Sequence, residues 1–141
     1  MGPSGGLMNK NKACICDLAM ELILTRKSEE LGKLTVSEIA RQLDVSPSYL
    51  SRLFKRERNS TLHEYLVRAK MVRSASLLII DPGLKIRRLA ELMGFVDTEY
   101  FTSLFKKNFG ISPAKYRECR KRKSDRNSYT RKKMNQSEQN F

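Results

Sequence analysis

The sequence predicts an all-α fold of about seven helices, and three observations predict it. No stretch sustains the apolar–polar alternation of a half-buried strand, whereas apolar residues recur at helical spacing from Ile15 onward. Helix start signals (Ser, Thr or Asp set before a proline or an acidic residue) recur along the chain. Finally, the chain repeats itself. Val36-Ser37-Glu38-Ile39-Ala40 lies over Ile86-Arg87-Arg88-Leu89-Ala90 at an offset of 50. Tyr49-Leu50-Ser51-Arg52-Leu53-Phe54-Lys55-Arg56 lies over Tyr100-Phe101-Thr102-Ser103-Leu104-Phe105-Lys106-Lys107 at an offset of 51, and the match continues with Tyr65 over Tyr116 and Lys70 over Lys121. Self-similarity at a nearly fixed period marks a duplicated supersecondary unit.

In chain order, Ile15, Leu18, Ala19, Leu22 and Ile23 follow the 3.6 period, so a first helix is expected over 11–31, ended by Gly32. Thr35-Val36-Ser37-Glu38 is a capping box that opens a short helix to Leu43, burying Val36, Ile39, Ala40 and Leu43. Ser46-Pro47 starts the next helix, to Arg58, because Ser caps free N–H groups and Pro is pre-set for the first helical position. Thr61-Leu62-His63-Glu64 is a second capping box. It opens a long helix to Ile80, with Leu62, Tyr65, Leu66, Ala69 and Val72 inward. Asp81-Pro82-Gly83 is a turn. The plan then repeats with a helix over Lys85–Met93, Asp97 as N-cap of a helix to Asn108, Gly110 as its terminator, and a last helix from Ser112-Pro113 through Lys121.

Twenty-eight Lys and Arg against 15 acids give a net charge of +13, which points to a polyanionic partner. Ten of the basic residues fall in 115–133, beside two acids. Residues 1–7 read as a vector scar ahead of a native start at Met8, and 124–141 as a basic disordered tail. Between them, 8–82 form a first helix–turn–helix subdomain with a linker helix, and 83–123 a second. Neither a membrane span nor a secretory signal is visible. Cys14, Cys16 and Cys119 read as reduced thiols, and with a single His63 they do not make a metal site, so no cofactor is expected.

Two stretches carry a resemblance to a known family: Ile86-Arg87-Arg88-Leu89-Ala90-Glu91-Leu92-Met93-Gly94-Phe95, and Tyr100 to Lys107 followed by Gly110-Ile111-Ser112-Pro113-Ala114-Lys115-Tyr116-Arg117. Over 11–122 the chain resembles the DNA-binding domain of the AraC/XylS family of bacterial transcription regulators. The resemblance implies two helix–turn–helix subdomains joined by a long central helix, with double-stranded DNA as partner. It also points to RNA polymerase and to a sensory or dimerisation domain outside this chain, in the bacterial cytoplasm at the nucleoid. Two departures stand out. Ser103 occupies a position where the family often has Arg or Lys, and Leu43-Asp44-Val45 fills a turn where Gly is common. A central helix over 62–80 would be roughly 28 Å long at 1.5 Å per residue, against about 34 Å between adjacent major grooves on one DNA face.

Helical spacing then separates faces. In the helix from Ser46, Tyr49, Leu50, Leu53 and Phe54 form the core stripe, which leaves Ser48, Ser51 and Arg52 to read base edges. Arg52 suits a bidentate bond to guanine O6 and N7. In the second unit Tyr100, Phe101, Leu104 and Phe105 form the stripe, and Thr98, Glu99 and Thr102 face outward as base-contact candidates. Ser46, Lys55, Arg56, Lys106 and Lys107 are candidates for phosphate contacts. The competing readings are an Arg52 paired with a surface carboxylate, a Glu99 serving its own helix start, and a chain that binds nucleic acid without sequence preference. An enzyme is disfavoured: the sequence shows no phosphate loop and no nucleophile with a His partner.

Overall fold

The computed structural model describes residues 12–122; the expectations for 1–11 and 123–141 lie outside them. Among the described residues eight helices follow one another: α1 Lys12–Thr25, α2 Ser28–Lys33, α3 Val36–Gln42, α4 Pro47–Arg58, α5 Leu62–Ile80, α6 Ile86–Leu92, α7 Thr98–Phe109 and α8 over 113–122. None of the described residues forms a strand, and none of their helices is long and apolar enough to cross a membrane. The helix count is one higher than expected because the first helix breaks in two.

The break falls at Arg26 and Lys27. Lys27 is extended at ψ 159°, and Ser28 with Glu29 and Glu30 opens α2, a start signal that the apolar periodicity concealed. Arg73 of the central helix compensates the interruption, since its Nη1 donates to the Arg26 carbonyl at 2.9 Å. Gly32 therefore does not terminate the helix. It lies inside α2 and is buried, and the helix is capped at Leu34.

Two cores follow from the duplication. The first gathers Ile23, Leu31, Ile39, Leu50, Phe54 and Leu62 from α1 to α5. The second gathers Met71, Leu78, Leu89, Met93, Phe101 and Phe105 from α5 to α7. The long helix α5 contributes to both, which makes it the beam of the molecule. The aromatic packing repeats as well: Phe54 meets Tyr65 at 5.7 Å between ring centroids, and Phe105 meets Tyr116 at 5.5 Å. Cys16 is fully buried in the first core, where loss of hydration pushes its thiol pKa up. Val72 departs from expectation. Placed inward by its spacing, it is 54% exposed, because α5 here faces an open groove lined by Leu24, Leu31 and Arg73.

Candidate nucleic-acid interface

Each unit builds its reader with the same hydrogen-bond skeleton. In the first, Asp44 N–H donates to the Arg41 carbonyl at 3.2 Å and Val45 N–H to the Ala40 carbonyl at 3.0 Å. In the second, Gly94 donates to Glu91 at 3.0 Å and Phe95 to Ala90 at 2.9 Å. This paired bonding closes a helix C-terminus and turns the chain, and it needs one left-handed residue. Asp44 at φ 59° and Gly94 at φ 87° supply it. The departure at Asp44 therefore leaves the turn intact.

The reader helices then start on side-chain caps. Ser46 Oγ accepts the Tyr49 N–H at 3.1 Å, and Asp97 Oδ1 accepts the Glu99 N–H at 2.9 Å. They end on left-handed Asn59 and Gly110, whose N–H groups return to Lys55 and Lys106. Thr61 and Glu64 cap α5 reciprocally, as expected. The Thr35 box forms only by half. Its hydroxyl accepts the Glu38 N–H, but the Glu38 carboxylate turns to Arg41 at 2.9 Å and to Gln42 at 3.1 Å. Those hydrogen bonds, led by the one from Arg41, hold the Glu38 carboxyl at about 2.

On α4, Leu50, Leu53 and Phe54 are buried and Tyr49 is half-buried, so the stripe is core. Pro47, Ser48, Ser51 and Arg52 line one open hollow on the opposite face. Ser48 and Arg52 are exposed and Ser51 half-buried. Arg52 has no hydrogen-bond or ion-pair partner among the described residues, so none of their carboxylates holds its guanidinium. Ser46 and Lys55 are exposed beside this face. Arg56 is exposed too, with its Nε 3.5 Å from the Glu57 carboxylate.

On α7, Phe101 and Phe105 are buried and Leu104 is half-buried. Tyr100 departs from the expected stripe. It is 54% exposed, at the edge of the second core, with its ring 6.1 Å from that of Phe95. Thr98 and Thr102 are half-buried, while Glu99, Ser103 and Lys106 are exposed. Lys107 stands apart from the other candidates. It lines a groove between α7 and the N-terminal half of α5, with His63, Glu64, Arg68 and Tyr100. No group of His, Cys, Asp and Glu residues among those described could hold a metal ion.

Two basic residues that helix-face reasoning left aside have structural tasks. Arg117 Nη1 donates to the Leu84 carbonyl at 2.5 Å and ties α8 to the start of the second unit. Lys70, midway along α5, reaches the Gly32 carbonyl. Neither was legible as a face, because each acts on a backbone carbonyl far away in sequence.

A family model described as a helix-turn-helix domain matches residues 39–118. The Msm operon regulatory protein of Streptococcus mutans is 39% identical over 86 residues, covering 61% of this chain and 31% of that protein. The xylose operon regulatory protein of Haemophilus influenzae is 32% identical over 85 residues, covering 60% of this chain and 22% of that protein. The chain thus spans under a third of the length of these curated relatives. Among solved structures, the C-terminal domain of AraT, a response regulator from Geobacillus stearothermophilus, aligns with a TM-score of 0.64 at 35% identity, covering 74% of this chain and 84% of that one. An AraC-type regulator from Chromobacterium violaceum aligns with a TM-score of 0.64 at 25% identity, covering 74% of this chain and 89% of that one.

Proposed function

The chain belongs to the AraC/XylS-type helix-turn-helix family of DNA-binding transcription regulators, and from that premise we propose how it reads DNA. It inserts α4 and α7 into successive major grooves of one asymmetric site and adjusts transcription initiation nearby. The observation that carries this reading is the pair of helices that each start on a side-chain cap and end on a left-handed residue, with one face buried and the other half-buried or exposed. Ser48, Ser51 and Arg52 read one half of the site, with Arg52 on a guanine edge. Thr98, Glu99 and Thr102 read the other half. The two sets differ, so the halves differ too. Ser46, Lys55, Arg56, Lys106 and Lys107 contribute phosphate contacts, which give affinity and register rather than sequence choice. RNA polymerase, and a sensory or dimerisation domain outside this chain, complete the proposal, in the cytoplasm at the nucleoid.

Selection from a random duplex pool at ~150 mM salt, where charge-driven binding is suppressed, tests it. Enrichment of two unlike short motifs about one helical turn apart is expected. Retention without any motif would overturn the reading in favour of a binder that follows charge alone.

A further inference from the structure

Two readers on one molecule gain from each other only if their separation and angle match the grooves, so whatever fixes that geometry also sets the preferred site. The central helix is not the only link between the units. Helix α2 of the first packs directly on α6 of the second, and the contact is backbone against backbone. A methyl group on Gly32 would lie 1.9 Å from the Leu92 carbonyl oxygen, and one on Gly94 would lie 2.1 Å from the Gly32 carbonyl oxygen. No side chain fits at either position.

Lys70 closes this junction from α5. Its Nζ donates to the Gly32 carbonyl at 3.4 Å, filling an acceptor in the last turn of α2, which has no intrahelical partner by geometry. The same ammonium lies 5.7 Å from the centroid of the Phe95 ring, the residue that follows Gly94 in the second unit's turn. Burial draws its pKa down, as it does for a cation taken out of water. In a chain with 28 Lys and Arg, most of these cations can serve DNA from the surface. This one is directed inward, onto one group from each unit.

Building on the two-groove reading, we propose that Lys70 is a positioning residue. By tying the Gly32 carbonyl of the first unit and the Phe95 ring of the second to the central helix, it fixes the offset between the readers and selects the half-site spacing that the protein accepts.

The test uses Lys70→Met, which keeps the apolar stem and removes the charge and the donor. Affinities are measured for duplexes carrying both selected motifs at the selected spacing, for duplexes one base pair longer or shorter, and for a duplex with the first motif alone. Thermal unfolding followed by circular dichroism verifies that the variant is folded. Wild type is expected to favour the selected spacing by about tenfold or more, because a misplaced second reader loses its effective concentration. Lys70→Met is expected to lower that preference to about threefold or less while binding the one-motif duplex as wild type does. A variant with the wild-type spacing profile overturns the proposal, and so does one weakened equally on every duplex. A wild type without a spacing optimum would overturn the two-groove reading itself, and the proposal with it.

Discussion

The turn before the reader is made in the first unit by Asp44 at φ 59° and in the second by Gly94 at φ 87°; both are exposed, but Gly94 leaves no room for a side chain beside the Gly32 carbonyl. The hydrogen bonds around the two turns are the same. The duplication thus keeps the backbone plan and varies what each turn touches. A left-handed position with room for a side chain tolerates Asp, whose short polar side chain visits that region. One serving as a contact between units requires Gly. The reader surfaces differ in the same way. Arg52 on α4 corresponds to Ser103 on α7 at the offset of 51, so the long cation is present in one groove reader and missing from the other. The second turn also holds one extra residue, Val96, fully exposed, which accounts for the step from 50 to 51 in the offset.

The largest effect should come from Gly94→Ala. It combines a left-handed backbone with a methyl group 2.1 Å from a carbonyl oxygen, so a loss of about 3 kcal/mol or more in denaturant unfolding is expected. Asp44→Ala exchanges one left-handed residue with a Cβ for another and loses only the local preference of Asp for that region, under about 1 kcal/mol. Equal losses at the two sites would show that the contact between units contributes nothing.

Next comes the reader asymmetry. Arg52→Ala should cost about 1–3 kcal/mol of binding and relax preference at one base position. A uniform loss over all sequences would make Arg52 a phosphate contact instead. The reciprocal change, Ser103→Arg, adds the missing cation to α7. It should tighten binding by about tenfold at most, with a steeper salt dependence, in titrations at several salt concentrations.

The smaller effects concern stability. Asp44→Gly should raise it by about 0.5–1 kcal/mol, since Gly is the residue that the turn favours. A loss would mean that the extra freedom of the unfolded glycine chain outweighs the relief. The smallest lies in acid. Glu38 and Arg41 pair on α3, and the counterpart positions on α6 reverse the order, with Arg88 before Glu91 at 3.5 Å. An acid ahead of a base is the better arrangement on a helix. The Glu38 carboxyl falls from 4.5 to about 2 on folding, so its contribution is present above 4.5 and lost as pH drops toward 2. Glu38→Gln should flatten the acid side of the stability curve in that window. An unchanged slope would show that the pair adds nothing in solution.

Much of this architecture was legible in the sequence because it is written locally. Ser46-Pro47, Thr61 with Glu64, Asp97, Gly110 and Ser112-Pro113 mark helix ends through their own side-chain chemistry, and the structure places the ends there. The core stripes on α4 and α7 followed from spacing, apart from Tyr100 at the rim. What escaped was long-range. The break at Arg26 is held by Arg73, 47 residues away, and Gly32 is a contact glycine rather than a terminator because Leu92 and Gly94 lie against it. Periodicity carries no record of such partners. On the open face of α4, spacing alone points to Ser48, Ser51 and Arg52, and the structure gathers those residues in one hollow with Pro47.

The most direct measurement is methylation interference at guanine N7 on a selected duplex, comparing wild type with Arg52→Ala. Two windows of interference about one helical turn apart, on one DNA face, are expected for wild type. Arg52→Ala should lose one guanine from one window and leave the other untouched. A single window, or interference spread evenly along the duplex, would contradict the account of two readers in successive grooves.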